Sequence, residues 1–262
     1  MPTDFSIHPG LLVHWAGKEF DCRCPDGSLD IEIKEPTRKQ YLELLKNILK
    51  NGILMGEDDP FAIKCMGNSY RVEPVPRVCF TELKLSQCIS HAQKYGALGI
   101  VVKRPFCFKR GGRPVLYYRQ GNHAKKDVFL YACLKGISTY ADNCKSGEDP
   151  RKMLQFIKPM GENEGEKFIY YDESEWRIVL TTQLLAMGFV KVVGESSYLP
   201  LDGWLSGIIY PDSETKYKAI NCGDIRKYIK EICDIGHKPK SKADFDQANP
   251  PMEIPLNFCK QF

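Results

Sequence analysis

From Tyr170 to Leu180 the chain reads YYDESEWRIVL, and no other stretch limits the fold as tightly. Successive side chains of a strand point to opposite faces, so Trp176, Ile178 and Leu180 share one face while Glu173, Glu175 and Arg177 share the other. One face suits a core; the other carries two carboxylates and a guanidinium. At a rise of roughly 3.3 Å per residue the carboxylates would stand about 7 Å apart, near enough for one pKa to rise unless a cation sits between them. Arg177 is the cation at hand. The segment is either a half-exposed antiparallel strand with a charged outer face or a catalytic strand.

The remaining composition narrows the class. With 262 residues and 43% hydrophobic content, the chain can bury a substantial core, which separates it from disordered sequences. No apolar run approaches the roughly 18 residues of a membrane span, and Met1 to Phe20 lacks the basic and apolar regions of a signal peptide, so a cytoplasmic protein is expected. Eleven cysteines without dense regular spacing point to buried thiols rather than a disulfide scaffold. Cys22 and Cys24 have no second ligand pair at zinc-finger spacing, so no metal site is expected.

The net charge of +4 is concentrated in one place. Lys103, Arg104, Lys109, Arg110, Arg113, Arg119, Lys125 and Lys126 follow one another with no acidic residue between them, and the rest of the chain is net acidic. Phe106, Phe108, Tyr117 and Tyr118 are interleaved with these cations. Aromatic planes among Arg and Lys suit base stacking and phosphate contacts on a nucleic acid or a phosphate-bearing cofactor. A solvated basic hairpin around Lys109-Arg-Gly-Gly-Arg-Pro is the plainer alternative.

Hydrophobic periodicity supplies the elements. Leu11 to Trp15 reads as a first strand. Tyr41, Leu44, Leu45, Ile48 and Leu49 recur at helical spacing, predicting a helix from near Thr37 to Gly52. A strand over Val75–Thr81 precedes a helix from an N-capping Ser86 to Gly96 with Cys88, Ala92 and Tyr95 on one side. Gly99–Lys103 and Pro114–Tyr118 are expected to be strands flanking a basic loop, and Asp127–Tyr140 a helix burying Phe129, Cys133 and Leu134. Further strands are expected at Phe168–Tyr171, Glu175–Leu180, Val190–Val193 and Leu205–Tyr210, and a helix between Asp224 and Gly236. Strands and helices mix without a βαβ repeat, which predicts an α+β fold with a mixed, largely antiparallel sheet, continuous or split, and flanking helices. Residues 1–237 are expected to form one domain and 238–262, rich in proline, an extended or partly ordered tail. No phosphate loop, dinucleotide fingerprint, zincin motif or nucleophile elbow is present.

Several spaced motifs act together. They are Leu12-Val-His14-Trp15-Ala-Gly17-Lys18, Leu45 through Asn51-Gly52-Ile53-Leu54, Val78-Cys-Phe80-Thr81-Glu82, His91 through Tyr95-Gly96, Val115-x-Tyr117 and Tyr171 through Glu175-Trp176-Arg177. In this order, over roughly residues 10 to 210, the chain resembles the AbiGi-type abortive-infection proteins, bacterial phage-defence proteins described as the antitoxin-like partner of a two-gene system. The resemblance implies a partner toxin.

The same motifs are similar to those of divergent ADP-ribosyltransferases, which implies that fold as the best guess and NAD as cofactor. In such enzymes His14 would bond a ribose, Thr81 or Tyr95 would lie near the nicotinamide, and Glu173-x-Glu175 would be the catalytic pair. The DNA-modifying members carry His-x-Thr on the first strand, whereas this chain has His14-Trp15-Ala16. Breaking the N-glycosidic bond of NAD passes through an oxocarbenium-like state that a fixed carboxylate stabilises, the role for Glu175. Glu173 would orient or deprotonate the acceptor, and Arg177 would keep both ionised or bind a phosphate. Three functions stand side by side: an NAD-using or nucleotide-using enzyme of phage defence, a non-catalytic antitoxin or regulator, and a nucleic-acid-binding module. The enzyme requires His14 and Glu175 on the walls of one pocket.

Overall fold

A computed structural model describes residues 10–20, 33–82, 84–119, 127–144, 148–160, 174–236 and 250–261. In chain order it places strand β1 (Leu11–Ala16), helix α1 (Glu35–Asn51), β2 (Ile53–Leu54), β3 (Phe61–Cys65), β4 (Asn68–Val72), β5 (Arg77–Glu82), α2 (Cys88–Tyr95), β6 (Leu98–Lys103), α3 (Arg104–Lys109), β7 (Arg113–Pro114) and β8 (Leu116–Arg119). There follow α4 (Val128–Asn143), β9 (Ile157–Met160), β10 (Glu175–Val179), α5 (Thr182–Ala186), β11 (Lys191–Val193), β12 (Ser196–Leu199), β13 (Leu205–Tyr210), α6 (Ser213–Ile220), α7 (Gly223–Gly236) and β14 (Met252–Pro255). Single 3₁₀ stretches cover Leu85–Gln87, Pro150–Phe156 and Leu256–Gln261.

Seven strands form the main sheet in the order β14-β13-β6-β1-β5-β10-β7. Every described pairing in it is antiparallel except β13 with β14, so the mixed, largely antiparallel α+β sheet expected from the sequence is what forms. The periodicity of α1 places Tyr41, Leu45, Ile48 and Leu49 in the core. Its end at Gly52 is forced: φ is 104° there, and a Cβ would lie 2.5 Å from the Leu199 backbone.

A smaller layer covers part of the sheet. The β3–β4 hairpin, the parallel pair β8–β9, α4 and the 3₁₀ stretch at 150–156 bury a second cluster of Ile63, Cys65, Val72, Tyr118, Leu130, Leu134, Leu154 and Ile157. Residue 155 and strand β9 bring this layer against β10.

Four local expectations change. The basic segment is not a loop between two paired strands: Arg104–Lys109 is helical because Pro105 sits in its first turn, where a missing N–H costs nothing. Strand β8 pairs with β9 and not with β6. Ser86 lies inside a 3₁₀ turn rather than capping α2, whose first turn has no side-chain cap. In α4, Leu130 and Leu134 are buried, but Phe129 is 73% exposed. The expected strand Phe168–Tyr171 lies outside the described residues.

Candidate functional site

Strand β10 was expected to have one core face and one charged outer face; both faces are buried. Glu175 and Arg177 are 6% and 5% exposed, because the smaller layer closes over the face they share. The register sets Glu175 opposite Thr81 and Arg177 opposite Cys79 on β5. Ser174, just before the strand, has φ 39°, and Glu173 lies outside the described residues.

The carboxylate is fully engaged. Its Oε1 accepts from Arg177 Nε at 2.6 Å, and its Oε2 meets Lys158 Nζ of β9 at 2.9 Å. Arg177 Nη1 also donates to the Gln155 carbonyl. Gln155 in turn accepts from Arg77 Nη1 at 2.7 Å and donates to the Glu73 carbonyl, while Arg77 pairs with Asp58. Burial alone would push the Glu175 carboxyl up, but the charges of Arg177 and Lys158 and their hydrogen bonds outweigh it and hold the pKa at about 2. So poor a base, with both oxygens taken, is suited to fastening the smaller layer to the sheet. Burial pushes the neighbouring Cys79 thiol up to about 11, with the Glu175 charge adding to it, which keeps the thiol protonated.

His14 is elsewhere. Trp176 pairs with Phe80, and the His14 ring packs edge-on against Phe80 with centroids 5.9 Å apart. Phe80 and Thr81 are successive strand residues, so the imidazole and the Glu175 carboxylate lie on opposite faces of the sheet. The two side chains, which the enzyme reading requires on the walls of one pocket, therefore do not face each other. The ladder between β1 and β5 pairs Leu12 with Glu82 and Val13 with Thr81; beyond it His14 Nδ1 lies 2.9 Å from the Cys79 carbonyl. Burial lowers the His14 pKa and this hydrogen bond partly opposes it. The ring thus serves as a strand-to-strand link. Thr81 does adjoin Glu175, but its hydroxyl is buried without a hydrogen-bond partner. Tyr95, at the end of α2, stacks on His91, which stacks on Trp15.

Part of the basic segment is likewise engaged within the protein. Arg110 is 2% exposed and lies between the Phe106 and Phe189 rings, 4.0 and 5.0 Å from their centroids, so it is not a surface phosphate contact. Burial lowers its pKa to about 10. Arg104 pairs with Glu82 at 2.8 Å and covers the Trp176 ring, and Lys109 lies over Trp204. Lys103 is half-buried, and Arg113 is exposed on the short strand β7. The Arg119 side chain, Lys125 and Lys126 lie outside the described residues. Of the aromatic rings expected to stack on bases, Phe106 is covered by Arg110 and Tyr118 is buried, while Phe108 is 58% exposed and packs edge-on against Trp176. Among the described residues no cluster of His, Cys, Asp and Glu could hold a metal ion, and no helix is long and apolar enough to cross a membrane.

One surface was missed. The outward side of α4 bears Val128, Ala132, Gly136, Thr139 and Tyr140, which with Tyr131, Lys135 and Asn143 form a shallow, largely apolar helix face. Val128, Phe129 and Tyr140 are all mostly exposed. The signal was present in the sequence: Val128 to Leu134 is apolar on every side of the helix, more than one buried stripe can use.

Residues 65–198, just over half of the 262, match the family model described as "Putative abortive phage resistance protein AbiGi, antitoxin". The matched span runs from the end of β3 into β12 and contains Glu175, Arg177, Lys158, Gln155 and all of α4. No curated protein and no solved structure matches the chain.

Proposed function

Since the chain belongs to the AbiGi family of abortive phage resistance proteins, we propose that it is the antitoxin of a phage-defence pair and neutralises its toxin by binding it through the exposed face of α4. The observation that carries the reading is that face. A helix whose inner side is anchored by Leu130 and Leu134 turns Val128, Phe129 and Tyr140 outward on a face that includes a single charged residue, Lys135. Exposed aromatic side chains with few charges are what the centre of a protein–protein interface uses. Small residues at Ala132 and Gly136 leave room for a partner to approach the helix closely.

The Glu175 network supports the same reading from the other side. Its carboxylate is neutralised twice within the protein, it lies across the sheet from His14, and it has a structural task. NAD cleavage by these residues would need that ion network opened.

Growth rescue tests the proposal. The chain is co-expressed with its cognate toxin, as wild type, as the Val128→Asp/Tyr140→Asp double variant and as Lys227→Ala, a change on an exposed part of α7. Wild type and Lys227→Ala should restore growth, and the double variant should not while keeping its unfolding midpoint. Rescue by the double variant overturns the α4 assignment; nicotinamide release by the purified chain supplied with NAD, lost in Glu175→Gln, overturns the non-catalytic reading.

A further inference from the structure

Cys88 opens α2 and Cys259 lies in the 3₁₀ stretch at 256–261, so the two are far apart in sequence. That stretch packs on α2 and on the 3₁₀ turn preceding it. Both thiols are free and belong to the same buried core cluster, and Cys88 sits at the junction of the 3₁₀ turn and α2, the two elements that the stretch carrying Cys259 packs against. Cys88 Sγ also lies 3.4 Å from the Lys84 carbonyl oxygen, which fixes its direction. Just before Cys259 the chain adds β14 to the sheet edge as its only described parallel strand, held by Tyr210 and Arg226 on Glu253. Among the described residues, only non-covalent contacts hold this segment to the rest of the fold.

We propose that Cys88 and Cys259 form a peroxide-reactive dithiol, whose disulfide staples the segment 252–261 onto α2 and fixes the edge strand β14. Cys259 lies in the 3₁₀ stretch while Cys88 is anchored at the start of α2, so Cys259 is the thiol an oxidant reaches first and the one that attacks as thiolate. Local opening of the terminal 3₁₀ turn gives the oxidant access. The Cys259 thiolate attacks one oxygen of hydrogen peroxide, breaking the O–O bond and releasing hydroxide, and becomes a sulfenic acid. The Cys88 sulfur then attacks the sulfenic sulfur; an S–S bond forms, the S–O bond breaks, and the Cys88 proton leaves with the hydroxyl as water. Two thiols are oxidised and one peroxide is reduced.

Fully reduced, full-length protein treated with hydrogen peroxide provides the test, with disulfide-linked peptides mapped by mass spectrometry without reduction. The expected first product joins the Cys88 and Cys259 peptides. It raises the unfolding midpoint by about 5 °C or more, as closing so long a loop predicts, and a dithiol reductant reverses it. Cys88→Ser and Cys259→Ser each abolish the product. The proposal is overturned if both thiols remain open to alkylation under denaturing conditions while other cysteines oxidise, or if Cys259 passes to the sulfinic acid with no link to Cys88. Because the link is read in the wild-type chain, a variant that fails to fold does not remove the test.

Discussion

Replacing Glu175 by glutamine should destabilise the fold by about 3 kcal/mol at pH 7, and two routes lead to that figure. Removing one partner of a buried ion pair typically costs roughly 3–5 kcal/mol, since the remaining charge keeps its desolvation cost; the amide oxygen left by glutamine and the partial exposure of Lys158 favour the low end. Independently, a carboxyl pKa held at about 2 against an ordinary 4.5 is worth about 3 kcal/mol by linkage. The folded-state pKa is depressed, so this stability is fully present above pH 4.5 and is lost as pH falls toward 2. At pH 3 roughly 1.5 kcal/mol should remain. Urea unfolding followed by tryptophan fluorescence, for wild type and Glu175→Gln at pH 7 and pH 3, reads both values. A difference below about 1 kcal/mol at pH 7, or one that does not shrink at pH 3, refutes the structural role assigned to this carboxylate. A carboxylate held in place for catalysis instead of stability would give that result.

Further outcomes follow from the same sheet. His14 should titrate below 6.5 by NMR, so its contribution to stability is present above that pH and is lost as pH falls; titration at or above 6.5 contradicts its burial. Thr81→Val should be neutral or stabilising by up to about 1 kcal/mol, because it removes a buried hydroxyl without a partner; clear destabilisation would mean that the hydroxyl has one. Gly96→Ala should cost at least about 2 kcal/mol in chemical denaturation, since φ is 108° and the added Cβ would run into the Ala16 carbonyl and the Lys18 amide; near-wild-type stability refutes that close approach.

Local pattern decides what was legible in the sequence. The apolar spacing in α1 and the glycine after it marked both the helix and its end, because burial and chain reversal there depend on neighbouring residues. The two faces of β10 were separated correctly, with Trp176 and Ile178 apart from Glu175 and Arg177, but the charged face was expected to meet solvent or substrate. What it meets, Lys158 and Gln155, arrives from a layer whose strand β9 pairs with β8, a non-local contact that no nearby residue announces. The placement of His14 failed through a register of sheet pairing that alternation within one strand cannot supply. Arg110 looked available because charge usually means exposure, yet two aromatic rings and the Phe106 and Pro200 carbonyls accommodate it inside. In α4, apolar residues on all sides left the buried stripe undetermined, and Phe129 went to the exposed side.

Calorimetric titration of the chain with its cognate toxin tests the account most directly. The account predicts that wild type binds, that Val128→Asp/Tyr140→Asp weakens binding by at least about tenfold for each buried aromatic or aliphatic anchor lost, and that Glu175→Gln, wherever it remains folded, binds like wild type. Equal affinity for wild type and the α4 double variant would contradict it.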